Sequence, residues 1–278
     1  MVVDIFHNWF AGYTIEVRNQ ISDYYNVSSD LTEWGWPVKD TSAVIDEVDL
    51  KITHTYQVID NCVEIAKWLE LPDRDIKLAK IIGMFHDLGR FRQALNYGTM
   101  DDRITGLHGE MSADIFLNDA PKDGLTSDDI EIIAASLRYH NLFKLPCGLS
   151  QRATLFCKLV RDGDKLDIFR FYIDCIKNTE KRNFRFIMSD GEGDYSPEML
   201  EGVLNGKNLM VGGINNKNDR KLVQISLVYD MNFGYTFQKM LEKEYLAMFT
   251  GINNGTADNV MQKAYTYATE WMKERVNG

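Results

Sequence analysis

The histidines of this chain are concentrated in one stretch, and their spacing limits how the chain can fold. Four of the five lie between residues 54 and 140: His54, His86, His108 and His140. Successive members are 32, 22 and 32 residues apart, which is about the length of one helix and its connection. Each lies at or near the end of a predicted helix. Helices that return in this way can bring the four imidazoles together at one end of a bundle.

The second of these histidines is followed at once by an aspartate. An apolar run with helical spacing (Leu78, Ala79, Ile81, Ile82, Met84 and Phe85) comes before His86 and Asp87, so we expect the pair to end a buried helix. Gly89 is expected to break that helix. An adjacent imidazole and carboxylate can bind one divalent metal ion. Taken alone, the pair is better explained by a histidine that caps its own helix and an aspartate that accepts from a loop amide.

A cluster of carboxylates follows the histidines. The segment Arg161-Asp162-Gly163-Asp164-Lys165-Leu166-Asp167 lies inside an apolar pattern that predicts a helix over residues 151 to 177. Asp162 and Asp167 are candidates for orienting a ligand or pairing with Lys165. This helix can therefore supply a last carboxylate to the histidine group.

Together, the candidate ligands occur in the order His54, His86-Asp87, His108, His140, Asp164. Over about residues 50 to 175 this order resembles the HD-domain metal-dependent phosphohydrolase superfamily. The resemblance implies that one metal is held by His54, His86, Asp87 and Asp164. Family members with two metals add two histidines, which His108 and His140 match, and share the aspartate of the HD pair between the metals. The resemblance thus implies a site of six ligands for two ions.

The resemblance also implies the fold class. We expect an all-α protein, an HD-domain helical bundle with additional N- and C-terminal helices. Residues 1–278 are interpreted as a single domain with a metal-binding core at about 50–175 and a helical extension at about 178–278. The first core helix is predicted from Val48 to Leu71, after a loop-rich connection over residues 26 to 48. A second loop-rich block is predicted over residues 178 to 218, with one short helix from Pro197 to Leu204.

Several basic and aromatic residues are candidates for substrate contact. Arg90 lies where HD phosphodiesterases of the HD-GYP type have a phosphate-binding lysine, and a guanidinium can grip phosphate through two parallel hydrogen bonds. The alternative is an Arg90 that pairs with Asp101 or Asp102. The loop from Gln93 to Arg103 is expected to cover the site, with weaker candidate contacts at Arg92, Tyr97 and Arg103. The chain has no Gly-Tyr-Pro signature after His140, so the c-di-GMP activity tied to that signature does not transfer.

The predicted function is that of a metal-dependent phosphohydrolase acting on a small phosphate monoester or diester, with a nucleotide-like group as the leading candidate. Asp87 would bind one divalent ion or be shared by two. In the two-metal case, a hydroxide that bridges the ions would attack phosphorus in line. Arg90 would neutralise the developing charge, and Lys165 would assist or simply pair with Asp162. Nitrogen and oxygen ligands without thiolate favour Fe, Mn, Co or Ni, while Zn also fits.

Two alternatives stay open on the same residues. The six-ligand order also resembles the di-iron oxygenases of the HD superfamily, which cleave C–C or C–P bonds with dioxygen. A third possibility is a non-catalytic HD domain that binds a nucleotide as a sensor.

Charge and composition limit the partners of this chain. Its net charge of −10 opposes binding to nucleic-acid polymers and to anionic membranes, whereas a small anionic substrate can be drawn in by bound metals. No apolar run reaches the length of a membrane span, the N-terminus has no basic signal region, and the four cysteines are scattered. We therefore expect a cytoplasmic protein whose partner is a small-molecule phosphate ester. Its oligomeric state is left open.

Overall fold

The structure, a computed structural model, describes residues 2–27, 41–177 and 191–276. Throughout these ranges the regular elements are helices, and no strand occurs in them. The predicted all-α fold is confirmed. Contacts divide the chain into two compact units, residues 1–161 and 162–278. The predicted boundary between core and extension, near residues 175 to 178, lies further along the chain than this division.

The first unit consists of seven helices and the beginning of an eighth, within the described residues. They are α1 (Val2–Val27), α2 (Thr41–Trp68), α3 (Asp73–Phe85), α4 (Leu88–Tyr97), α5 (Asp102–Thr105), α6 (His108–Asn118), α7 (Ser127–Tyr139) and the part of α8 (Gln151–Lys177) up to Arg161. Helix α2 packs on α3, and α6 packs on both α4 and α7. Of these helices, α2 contains His54, α6 begins at His108, and α3 and α7 end directly before His86 and His140.

Aromatic side chains join the helices of the first unit. Phe6 and Phe10 on α1 meet Phe85 and Phe91 edge to face, with ring centroids 6.0 and 5.9 Å apart. Phe85 also contacts Phe116 of α6. All five rings are fully buried, and edge-to-face pairs add to the stabilisation from burial. Helix α1 therefore packs on the core of the first unit through its aromatic side chains.

The chain bends at the HD pair rather than at Gly89. His86 follows the last residue of α3, and Asp87, with φ −106° and ψ 16°, separates α3 from α4. Gly89 is the second residue of α4, so the prediction that it breaks the helix was wrong. The break comes earlier because Asp87 leaves the helical region of backbone space. The imidazole and the carboxylate consequently lie at an elbow between two helices.

Other predicted boundaries need small corrections. Helix α2 begins at Thr41, so residues 41–48 belong to it and not to the loop-rich connection. The rest of that connection, residues 28–40, lies outside the described residues. So do residues 178–190 of the second predicted loop block. The short helix predicted from Pro197 to Leu204 is confirmed.

The second unit is described by itself. After the remainder of α8 it contains α9 (Pro197–Leu204), α10 (Lys217–Ser226), α11 (Gly234–Glu242), α12 (Tyr245–Thr250) and α13 (Asn259–Lys273). Its core is aliphatic and methionine-rich, and fully buried members include Val203, Leu222, Ile225, Val228 and Met272. This separate core accounts for the compactness of residues 162–278. Over the described ranges, no helix combines the length and apolar composition that crossing a bilayer requires.

The start of α7 is fixed by a buried carboxylate. Asp129 accepts a hydrogen bond from the backbone N–H of Thr126 at 3.0 Å, while the Thr126 hydroxyl accepts one from the backbone N–H of Asp129. This reciprocal pattern satisfies two backbone donors at the helix N-terminus. The same carboxylate pairs with Arg74 at 2.6 Å and Arg152 at 3.3 Å. Asp129 thereby connects α7 to α3 and to the beginning of α8.

Replacing Asp129 by Asn should lower the free energy of unfolding at pH 7 by about 2 kcal/mol. Burial alone would raise the pKa of Asp129, but hydrogen bonds from Thr126 and Arg74 bring it to about 2, below the ordinary 3.8. A depressed pKa means that the stabilisation is present above pH 3.8 and is lost as the pH falls toward 2. Urea unfolding should therefore show a difference between wild type and variant that shrinks over this range.

The matched control is Glu131→Gln, which removes the same charge from an exposed position on the same helix. Its free energy of unfolding should stay within about 0.5 kcal/mol of wild type. Equal stability of the two variants would show that the Asp129 contacts do not hold α7.

Candidate metal centre

Five of the predicted ligands come together where the ends of α3, α6 and α7 meet the middle of α2. His54 lies near the middle of α2 (Thr41–Trp68), so the expectation that each histidine lies at or near a helix end was wrong for this one. Helix α2 carries His54, the elbow between α3 and α4 carries His86 and Asp87, α6 begins at His108, and His140 directly follows α7. None of the five is more than 7% exposed. Polar groups so deeply buried must be paired or bind a ligand. The return of the helices, predicted from the histidine spacing, therefore places these side chains in one buried group.

The Asp87 carboxylate lies between two pairs of histidines. Its Oδ2 atom is 3.5 Å from His54 Nε2 and 3.4 Å from His86 Nε2. Its Oδ1 atom is 3.3 Å from His108 Nε2 and 3.8 Å from His140 Nε2. Each carboxylate oxygen thus faces one histidine pair.

Two of the histidines are oriented by the helices that they terminate. His86 Nδ1 lies 2.8 Å from the carbonyl oxygen of Gly83, and His140 Nδ1 lies 2.7 Å from that of Leu137. In both cases the carbonyl lies three residues back, among those left without a partner at a helix C-terminus. Because a carbonyl only accepts, each Nδ1 must donate its proton. Each Nε2 therefore presents a lone pair to the centre of the group.

His108 is oriented in the same way, but by a carboxylate instead of a backbone carbonyl. Its Nδ1 is 2.8 Å from Asp102 Oδ2, so the ring donates outward and presents Nε2 inward. Burial lowers the pKa of His108 to about 3, with a contribution from the positive charge of Arg90 and with partial opposition from Asp102. The ring is consequently neutral at pH 7. The pKa of Asp102 also lies below its usual range, because hydrogen bonds from His108 and Gln93 and the positive charge of Arg90 outweigh burial.

The inward nitrogens of each histidine pair lie close together. His54 Nε2 and His86 Nε2 are 3.2 Å apart, a distance that an N–H···N hydrogen bond also spans. His108 Nε2 and His140 Nε2 are 3.0 Å apart. Because His108 and His140 both donate from Nδ1, their two Nε2 lone pairs cannot form a hydrogen bond with each other, whereas a cation bound by both nitrogens makes this arrangement favourable. Asp87, His108 and His140 offer ligand atoms within 4.8 Å of one another. Nitrogen and oxygen donors of this kind fit a divalent transition metal.

Comparison with known proteins agrees with this geometry. Residues 52–168 match the family model described as HD domain. This stretch is an HD domain. It spans every predicted ligand from His54 to Asp164, and the predicted family is confirmed. No curated protein and no solved structure matches the chain.

A lysine that sequence reasoning missed contacts the shared carboxylate of the HD domain. Lys51 Nζ is 2.6 Å from Asp87 Oδ2. Burial alone would raise the pKa of Asp87, but the charge of Lys51, together with His86 and His140, holds it well below its usual range. The carboxylate is therefore ionised. The signal was present in the sequence, because Lys51 precedes His54 by three residues and shares its face of α2.

The end of α7 is held by a buried arginine. Arg161 Nη1 donates to the carbonyl oxygens of Tyr139, His140 and Leu142, at 3.3, 2.9 and 2.5 Å. These are carbonyls at and beyond the helix C-terminus, which lack partners within the helix. Arg161 therefore fixes the turn from which the His140 ring projects. No periodic pattern in the sequence connects the two residues.

The structure places Arg90 beside the centre, but with acidic and carbonyl partners. Its Nη1 contacts Asp102 Oδ1 at 3.0 Å, Gln93 Oε1 at 3.1 Å and the carbonyl oxygen of Met100. Its Nε lies 3.9 Å from Asp87 Oδ1 and has no hydrogen-bond partner. Most of the Arg90 guanidinium is therefore engaged as the alternative expects, with Arg90 paired to Asp102. Its contact with substrate phosphate stays a prediction.

Other predicted substrate residues lie toward solvent. Arg92 pairs with Asp119 at 3.2 Å, and Arg103, whose side chain is 81% exposed, pairs with Asp101. Tyr97 is the last residue of α4 and is half-exposed. Residues 93–97 are therefore helical rather than part of a loop over the site, because the helix pattern of α4 continues to Gly98. Substrate contact by these three residues stays a prediction.

Four predicted or candidate residues lie beyond Arg161, in the second unit. Lys165 is buried and pairs with Asp230 at 2.7 Å. Asp162 accepts hydrogen bonds from backbone and side-chain groups around the start of α11, and burial raises its pKa. Asp167 pairs with Arg170. Asp164 lies on α8. The catalytic role of Lys165 and metal binding by Asp164 stay predictions.

Gly89 allows α4 and α6 to approach at the position of His108. A Cβ atom on Gly89 would lie 2.9 Å from the carbonyl carbon of His108 and would overlap its oxygen. The Gly89 backbone N–H also donates to Ser112 Oγ at 2.8 Å. Any side chain at this position must therefore push the first turn of α6, and His108 with it, away from α4.

Gly89→Ala should reduce both stability and metal affinity. We expect the free energy of unfolding to fall by about 1–3 kcal/mol, as for other overpacked positions. Displacement of His108 should also weaken zinc or manganese binding to the full chain, which titration calorimetry measures. The control is Gly12→Ala on α1, where a Cβ meets no atom within 4 Å. If Gly89→Ala binds metal and unfolds like this control, the backbone contact does not position His108.

Proposed function

We propose that this HD domain is a metal-dependent phosphohydrolase that acts on a small phosphate monoester or diester, with a nucleotide-like group as the leading candidate. One observation carries the proposal. The two oxygens of Asp87 face two different histidine pairs, which is how one carboxylate can be shared by two divalent ions. The net charge of −10 supports a small substrate over a nucleic-acid polymer.

The proposed ligands form two sets that share Asp87. As the family resemblance implies, the first set comprises His54, His86 and Asp164, and the second comprises His108 and His140. Fe, Mn, Co, Ni and Zn are the candidate ions, because the donors are imidazole nitrogens and carboxylate oxygens. Such ions would supply an activated water and polarise the oxygens of a phosphoryl group.

The surrounding residues have distinct proposed roles. Asp102 and the carbonyls behind His86 and His140 accept hydrogen bonds from Nδ1 and keep the Nε2 atoms aimed inward. Arg90, whose Nε is directed toward Asp87, stabilises negative charge that develops on the substrate. Arg92, Tyr97, Arg103 and Lys165 are retained as weaker candidates for substrate contact or assistance.

The test is hydrolysis by the full-length chain, with its metal content measured by elemental analysis. We expect metal in the purified protein and hydrolysis of at least one member of a panel of aryl phosphates and phosphodiesters. Asp87→Ala should lose bound metal and reduce turnover by roughly a thousandfold or more, because bound metal supplies several kcal/mol of transition-state stabilisation. Asp60→Asn, an exposed change on α2, should behave as wild type.

Each alternative function has its own outcome in this experiment. Full activity in Asp87→Ala would contradict the proposed mechanism. Two irons per chain, no hydrolysis and dioxygen uptake on an added polyol or phosphonate would identify an oxygenase, for which the same ligand set is suited. Tight nucleotide binding without product would identify a sensor.

A further inference from the structure

Lys51 occupies a position at the centre that the proposed mechanism does not use. It lies on α2, one helical turn before His54, and its Nζ is 2.6 Å from Asp87 Oδ2. The same oxygen faces His54 and His86. The ammonium group therefore borders the atoms proposed to hold one of the two ions.

Lys51 also connects this buried group with solvent. Its side chain is 25% exposed, whereas that of Asp87 is 2% exposed. An anion that approaches the centre from the Lys51 side meets the ammonium before it reaches the carboxylate. The other basic candidates are less available, because Arg90 is held by Asp102 and Arg92 by Asp119.

Because negative charges surround the centre, a positively charged ammonium group there would favour the binding of an anionic substrate. The chain carries a net charge of −10, and the carboxyl groups of Asp87 and Asp102 both lie at the centre, 3.3 and 2.8 Å from the ring nitrogens of His108. Divalent ions would offset these carboxylates, and Lys51 adds a further positive charge at the solvent side. An ammonium group has three N–H donors, of which the contact with Asp87 takes one.

We propose that Lys51 contacts the substrate directly, donating hydrogen bonds to the anionic oxygens of its phosphate group. This inference rests on the proposed function, and it makes Lys51 a determinant of specificity for phosphate over neutral compounds. The contact is charge-assisted on both sides, which makes it stronger than a neutral hydrogen bond. A structural role, in which Lys51 only holds Asp87 in place, is the competing explanation.

Titration of inorganic phosphate into the metal-loaded full chain tests the contact without requiring turnover. Lys51→Gln should reduce phosphate affinity roughly ten- to a hundredfold, as expected for the loss of a charged hydrogen bond. The KM for any aryl phosphate that is hydrolysed should rise by a similar factor, with a smaller change in kcat. Lys51→Arg should recover most of the affinity. Metal content should equal that of wild type in both variants.

Lys67→Gln is the matched control, since Lys67 is exposed on the same helix and pairs with Glu64. It should bind phosphate as wild type does. Unchanged phosphate affinity in Lys51→Gln would overturn the proposal, and so would loss of metal from that variant, because the lysine would then act through Asp87. If wild type hydrolyses no ester while Lys51→Gln still binds phosphate more weakly, the proposed function fails and the Lys51 contact stands.

Discussion

The structure of the first unit depends on how one buried carboxylate is compensated. Asp87 is almost completely buried and ionised, and a buried charge is costly unless it is paired. Its compensation comes from Lys51 on one oxygen and from imidazoles facing both oxygens. Those imidazoles are supplied by helices that are distant in sequence. The packing that brings the end of α3, the start of α6 and the end of α7 against the middle of α2 therefore also gives Asp87 its surroundings.

Two of the histidines are oriented by the same kind of local hydrogen bond. His86 and His140 each follow the last turn of a helix and donate to the carbonyl three residues back. A helix C-terminus has unsatisfied carbonyls in any case, so the chain needs no additional residue to fix these rings. His108 begins its helix and has no such carbonyl available, and it is oriented by Asp102 instead. The position of a histidine relative to its helix thus decides which kind of partner it requires.

Much of this could be predicted from the sequence, for a physical reason. Apolar periodicity and histidine spacing are local signals, and they were sufficient for the all-α fold, the family and the helices that carry His54, His86 and His140. Contacts that depend on packing between segments left no such signal. Three such contacts join residues that share no helical face. The backbone of Gly89 touches that of His108, Asp102 pairs with His108, and Arg161 donates to the carbonyls at the end of α7. The division of the chain inside α8 likewise depends on the existence of two separate cores. The apolar periodicity of α8 is continuous along the helix and therefore does not indicate where one unit ends.

The burial of the ligand atoms has a consequence for the timescale on which the centre exchanges its contents with solvent. His86 is fully buried, and Asp87 and His140 are nearly so, while Gly89 brings α4 and α6 into backbone contact beside them. An ion held by these atoms is bound on its protein side by buried groups, and several of those bonds must break before it leaves, so local opening of the helix ends should speed its release. A chelator in solution would then remove the ion faster under conditions that favour such opening. Slow exchange of this kind allows a protein to keep the ion that it acquired when it folded, even where another ion is more abundant later.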